Sequence, residues 1–360
     1  MELVNKLLSV TRSQGASDLH IAVGYPPSMR VDGRLLPTNL EPFTRETVNS
    51  FSGVFLASSP GARARLDNEG QVDLAYELEG QGRFRVNVYR TERGLACAIR
   101  AVPDTIPALE ELGLPRSVAG LTNLPKGLVL VTGPTGSGKS TTLAAFLNKV
   151  NRERSCHIIT IEDPIEFVHR PIKSLITQRE LGSDYQVTAR AVRSCLRQDP
   201  DVILIGEMRD VETMRAALTV AETGHLALAT LHTNSATQTV TRIIDAFPAE
   251  DVRQVRIQLS FCLEAVISQT LLPQKGTPGR VLATEVLTTT PAVRSLIREG
   301  KEHQLYSVIQ SGAQHGMYTL NSALFELIEA GLIDAATALA ASNRREELEE
   351  KLEERGLKSG

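Results

Sequence analysis

From Gly127 onward the apolar residues fall into short blocks, LVLVT, HIITI, VILIG, LALATLH and RVLATEVL, separated by longer stretches whose apolar positions recur with helical spacing. Short unbroken apolar blocks suit strands buried on both faces, so this alternation predicts an α/β fold with a mostly parallel sheet covered by helices. The N-terminal part is patterned differently. VDLAYELEGQGRFRVNVYRTERGLACAIRAV predicts three strands joined by glycine-containing loops, PPSMRVDGRLLP carries an Asp-Gly turn at Asp32 and Gly33, and MELVNKLLSVTRS has the spacing of an amphipathic helix. Together these predict a small α+β domain over residues 1–101.

VPDTIPALEELGLPR, residues 102–116, holds three prolines and little strand character, and predicts a linker or hinge. The α/β domain is expected over residues 117–290. After Pro291 the strand patterns stop, and AVRSLIREGKEHQLYSVIQ, TLNSALFELIEAGL and RREELEEKLEERGLK predict a helical region over residues 291–360. The mixed charges of the last segment read as a solvated helix face with local ion pairs.

Composition narrows the function classes. At 360 residues, with 42% hydrophobic and 22% charged positions, the chain is long enough for two or three folded domains and has no signature of extensive disorder. A net charge of -3 argues against a general grip on nucleic acid, so none is expected as a partner. The four cysteines are scattered without a CxxC pair, which fits neither a zinc cage nor a disulfide framework. No long apolar run suggests a membrane span, and a cytoplasmic location is expected.

Four stretches carry candidate chemistry. In GPTGSGKST, the residues Gly133, Pro134, Thr135, Gly136, Ser137, Gly138, Lys139, Ser140 and Thr141 complete a phosphate-binding loop between a predicted strand and a predicted helix. Its glycines let backbone N–H groups curl around an anion, Lys139 would face the β and γ phosphates, and the Ser140 hydroxyl would ligate Mg²⁺. IITIEDPIEF places Glu162, Asp163 and Glu166 after the next strand, where one carboxylate would orient a water for attack on the γ phosphate. DVILIGEMRD ends an apolar strand at Glu207, expected to lie beside the loop and to reach Mg²⁺ through a water. ETGHLALATLHT puts His225 before a strand and His232 at its end, where His232 would sense or donate to the γ phosphate and His225 would make a structural hydrogen bond. Seven residues apart with no cysteine ligands nearby, the two histidines do not read as a zinc pair.

These blocks, in this order, resemble the Walker A, Asp box, Walker B and His box of the type II/type IV secretion ATPase superfamily. GASDLHI, RFRVNVYR and PAVRSLIREGKEHQLYSVIQSG resemble its type IV pilus retraction branch, so the likeness runs nearly the whole chain. The resemblance implies a hexameric ring whose subunits each join an N-terminal PAS-like domain to a RecA-like ATPase domain, with ATP between them. It makes Glu166 the water-activating acid and Glu207 the Walker B acid, and has Arg85 and Arg100 reach the phosphates. The implied partners are an inner-membrane pilus platform protein and a paralogous ATPase, with the ring peripheral at the inner membrane and twitching motility as the output. Assembly relatives usually carry an extra N-terminal domain and a tetracysteine insertion that this chain lacks, which points toward retraction. The family's AIRNLIRE segment reads AVRSLIRE here, with Val293 and Ser295 substituted, so the alternatives of an accessory retraction ATPase and a slowly hydrolysing regulator stay open.

Overall fold

The computed structural model describes residues 1–31, 34–103, 105–277 and 279–356. The Asp32-Gly33 turn and the end of the charged tail lie outside the described residues. The chain divides into two compact units, Met1–Thr105 with Glu166–Val168, and Ile106–Ile165 with His169–Gly360.

The first unit contains α1 (Glu2–Ser13), β1 (Asp18–Ala22), β2 (Ser28–Val31), β3 (Arg34–Pro37), α2 (Arg45–Ser58), α3 (Ala62–Glu69), β4 (Gln71–Leu78), β5 (Gly82–Thr91) and β6 (Gly94–Ala101). Its strands form an antiparallel sheet in the order β3-β2-β1-β6-β5-β4. Side chains alternate across a strand, so Leu19, Ile21, Phe84, Val86, Val88, Cys97 and Ile99 all fall on one face. There they meet Val4, Leu7 and Leu8 of α1 and Phe51 and Phe55 of α2. The same alternation leaves Arg85 and Arg100 on the opposite, polar face.

The second unit contains α4 (Arg116–Gly120), β7 (Gly127–Thr132), α5 (Lys139–Glu153), β8 (His157–Glu162), β9 (Leu175–Glu180), α6 (Thr188–Cys195), β10 (Val202–Ile205), α7 (Val211–Glu222), β11 (Leu226–Leu231), α8 (Ala236–Asp245), α9 (Val252–Cys262), β12 (Leu263–Pro273), β13 (Arg280–Thr288), α10 (Pro291–Glu299), α11 (Leu305–Ser311), α12 (Leu320–Glu329), α13 (Ala335–Ala341) and α14 (Arg345–Glu354). The sheet order is β13-β12-β7-β11-β10-β8-β9, with β13 antiparallel to β12 and the other pairings parallel. Every residue of β7, β10 and β11 is buried, as expected for strands covered on both faces. Helices cover both faces, with separate apolar clusters on each side.

Two expectations change here. The strand leading to Glu207, β10, is not the neighbour of the phosphate-loop strand: β11 pairs with both and lies between them. This puts the His box, rather than Glu207, directly beside the loop strand. Within the expected linker, Ile106, Leu109, Leu112 and Leu114 pack into the second unit's core, because their apolar side chains gain more from burial than an open hinge would give. The C-terminal helices α12, α13 and α14, in the region expected to be helical, pack with Leu272 of β12 and Ala283 of β13. Among the described residues no helix is long and apolar enough to cross a membrane.

Candidate active site

The loop after β7 is shaped by its glycines. Gly133 has φ +140, and a Cβ there would strike the backbone oxygen of Gln269 on β12 and come within 2.6 Å of Ser137 Oγ. Gly136 and Gly138 also take positive φ, at +80 and +89, values that other residues adopt only at a cost. The chain then turns into α5 at Lys139, so the positive end of that helix opens onto the loop. Lys139 is buried, and its Nζ donates to the carbonyls of Gly133 at 2.8 Å and Pro134 at 3.0 Å, which holds the ammonium group against the loop.

Pro134, Thr135 and Gly136 form the exposed crest, while Ser140 and Thr141 sit half-buried in the first turn of α5. Ser137 Oγ is buried without a hydrogen-bond partner. A loop that admits no Cβ at Gly133, an orphaned hydroxyl and a seated ammonium suit a polyphosphate. Behind the loop, Gln269 Nε2 donates to Thr142 Oγ1 at 2.7 Å, joining β12 to α5.

Glu207 of the third stretch meets the His box, and Asp163 of the second joins them through Arg209. Glu207 Oε1 lies 3.3 Å from His232 Nε2, and Glu207 Oε2 accepts from Arg209 Nε at 2.8 Å. Arg209 Nη1 also reaches Asp163 Oδ2 at 3.1 Å. One guanidinium therefore bridges the ends of β8 and β10, and His232 closes the group from β11. Two carboxylates so close would repel without a cation between them, and the forked donors of arginine fit both at once. The hydrogen bond that Arg209 donates to Glu207 is also what chiefly raises Arg209 further above its ordinary value. Arg209 was not singled out in the sequence, although it stands two residues past the strand-end acid in GEMRD.

The other expected residues fall outside this group. Glu162 Oε1 is taken up by Thr160 Oγ1 at 2.6 Å and Gln178 Nε2 at 3.1 Å. Glu166 is exposed, four residues past the end of β8. His225 Nδ1 contacts Thr223 Oγ1 at 3.1 Å and the Val220 carbonyl at 3.2 Å at the end of α7, a local structural arrangement. Arg85 and Arg100 are cross-strand partners in the first unit. There Arg100 Nε bonds Asp18 Oδ1 at 2.9 Å, and Arg85 Nε lies 3.9 Å from Asp73 Oδ1.

A cation at this site would draw on the Ser140 hydroxyl and Glu207, a hard oxygen set of the kind Mg²⁺ accepts when phosphate and water complete its shell. Among the described residues no group of three or more His, Cys, Asp and Glu side chains is arranged to hold a metal by itself.

The chain is similar along most of its length to several known proteins. The chain is 48% identical over 335 residues to the type IV pilus retraction ATPase PilT of Pseudomonas aeruginosa, covering 93% of this chain and 96% of that one. It is 41% identical over 347 residues to the type IV pilus ATPase PilU of the same organism, covering 95% and 89%. A crystal structure of the pilus retraction motor PilT with bound ADP superposes with a TM-score of 0.90 at 45% identity, over 96% of this chain and 98% of that one. The family model described as type II/IV secretion system protein matches residues 1–332. That span takes in the first unit and all four candidate stretches, and the chain belongs to this family of secretion ATPases with a RecA-like fold.

Proposed function

We propose that this chain hydrolyses ATP to drive type IV pilus retraction, and that the residues above divide the work as follows. The reading is carried by the phosphate loop, where the Gly133 cradle closes against Gln269 and Lys139 stands over it. Backbone N–H groups from Gly136 to Ser140 hold the β phosphate, and Lys139 balances charge on the β and γ phosphates. Mg²⁺, held by Ser140 and through a water by Glu207, would neutralise charge on the phosphate oxygens.

Glu166 takes the proton of the attacking water. His232 stands at the γ-phosphate end, and its contact with Glu207 couples that end to the acid strand. Arg85 and Arg100 stabilise the departing phosphoryl charge with forked donors that a lysine cannot match. The subunits form a homohexamer, with the part of the expected linker that precedes Ile106 as the hinge between the two units. ATP favours one arrangement of the units by its differential contacts, and product release frees it. The ring sits on the cytoplasmic side of the inner membrane, peripheral to it through the pilus platform protein, with a paralogous ATPase as a further partner.

The retraction motor is favoured over the accessory ATPase by the higher identity to PilT, 48% against 41% for PilU. The deciding experiment is complementation. Cells lacking their own retraction motor should regain pilus retraction and twitching when they express this chain, and not when they express Lys139→Ala. Failure to restore movement, with restored partnership to an active PilT, would transfer the chain to the accessory role.

A further inference from the structure

Glu285 of β13 has no part in the reading above, yet only 3% of it is exposed. A carboxyl group so buried is costly unless it is hydrogen-bonded. Here it is met by the backbone N–H of Ala236 at 2.7 Å and by that of Leu320. These are the first residues of α8 and α12, whose N-terminal N–H groups have no partner within their own helices. A single carboxyl thus caps two helices, and the positive ends of both converge on it. Burial still outweighs these bonds and holds the group above the usual carboxylate range.

The first of those helices begins just after the His box, with only Thr233, Asn234 and Ser235 between His232 and Ala236. That connection is tied to the first turn of α8, where Asn234 N–H donates to Gln238 Oε1 at 2.9 Å and Ser235 Oγ accepts from Gln238 N–H at 3.1 Å. Thr233 Oγ1 meets Thr239 Oγ1 at 2.6 Å, and Asn343 Nδ2, from the turn before α14, donates to the Asn234 carbonyl at 2.8 Å. Beside it lies an open pocket of about 560 Å³ lined by Gln238, Glu285, Tyr306, Asn321 and Arg344, which borders both helix starts. The sheet register adds a second link. Leu231 pairs with Thr132, Thr132 with Ser268, and Ser268 with Glu285. One transverse row therefore joins the residue before His232, the residue before Gly133, and Glu285.

We infer that Glu285 is a positioning residue for ATP hydrolysis: by capping α8 and α12 together it sets where His232 stands against Glu207, and so ties turnover to the docking of the C-terminal helices. This rests on the ATPase reading above. Glu285 touches no reacting atom in this scheme. It acts through the Ala236 N–H, and Asn343 assists it from the helical side.

The test is steady-state ATP turnover by the full-length protein, with nucleotide affinity and unfolding temperature measured in parallel. Glu285→Ala should lower kcat about tenfold while KM for Mg-ATP and nucleotide affinity stay within about twofold of wild type. Glu285→Gln keeps a carbonyl acceptor for the Ala236 N–H and should recover kcat to within about threefold. Asn343→Ala, at an exposed turn, should lower kcat severalfold at an unchanged unfolding temperature. Undiminished kcat in Glu285→Ala and Asn343→Ala, beside an active wild type, overturns the inference and leaves the ATPase reading standing. So does a kcat that falls only in step with the folded fraction. A wild type without turnover removes both. If Glu285→Ala does not fold, Asn343→Ala decides alone.

Discussion

Arg209 Nε stands 2.8 Å from Glu207 Oε2, and the same guanidinium reaches Asp163 with its Nη1. The Arg209 side chain is 62% exposed, so these ion pairs contribute at most about 1 kcal/mol to stability. Their consequence is geometric, because they fix the direction of the Glu207 carboxylate that His232 approaches from the other side. Arg209→Lys keeps the charge and loses the fork. It should lower kcat about tenfold with an unfolding temperature close to wild type, and Arg209→Ala should do at least as much. Turnover and calorimetric unfolding on the same preparations check this. Full activity in Arg209→Ala would mean that Glu207 does not need this support.

The roles proposed for Lys139 and Glu166 separate binding from chemistry. Lys139→Ala removes the ammonium group that sits on the loop carbonyls of Gly133 and Pro134, and should abolish hydrolysis while weakening nucleotide affinity. Glu166→Gln leaves the loop untouched and should bind Mg-ATP as tightly as wild type while turnover falls at least about a hundredfold. Isothermal titration paired with phosphate release distinguishes the two behaviours. Rapid hydrolysis by Glu166→Gln would move the water-activating role to another acid, with Asp163 the next candidate on the same loop.

How far the sequence could be read depended on the kind of signal each element carries. β7, β8, β10 and β11 announce themselves as apolar blocks because both faces are covered, and the phosphate loop because its glycines and lysine are local in sequence. β9 escaped notice because it is an edge strand whose LITQRE is largely polar. β12 escaped because LEAVISQTLLP follows α9 without a glycine or proline to mark the change. Missing β12 also hid the Gln269 carbonyl that closes the cradle. The neighbour of β7 was misjudged because strand order is set by crossovers, which local patterning does not encode. Arg209 and Glu285 were illegible for a related reason: each takes its role from partners brought to it by the fold, Asp163 46 positions away and Ala236 49 positions away.

His169 gives a pH dependence whose sign can be worked out. Its side chain is 8% exposed, its Nδ1 is buried without a partner, and burial pulls it down from 6.5 to about 4. The folded chain therefore takes up this proton less readily than the unfolded chain. Stability from the neutral imidazole is complete above the unfolded value of 6.5 and is lost as pH falls from there to about 4. A gap of this size corresponds to about 3 kcal/mol. His169→Phe should flatten that part of the stability profile, measured by urea unfolding at intervals between about pH 4 and 7. Parallel profiles for the variant and wild type would show that His169 is not the group responsible.

Gly133 and Gly136 offer a comparison within one loop. At Gly136, φ is +80 and an added Cβ meets nothing within 4 Å, so alanine there carries only a conformational cost of about 1–2 kcal/mol. At Gly133, φ is +140 and the added carbon would run into the Gln269 carbonyl and Ser137 Oγ. The Gln269 carbonyl belongs to a strand held in the sheet on both sides and cannot easily retreat. The loop must therefore move away from β12, carrying with it the carbonyl on which Lys139 rests. Gly133→Ala should cost about 2–3 kcal/mol in folding stability, more than Gly136→Ala, and should also lose Mg-ATP affinity. Thermal unfolding of both variants with and without nucleotide provides the measurement. An equal or smaller loss in Gly133→Ala would show that the loop tolerates a side chain against β12, and the cradle would then owe its shape to something other than that contact.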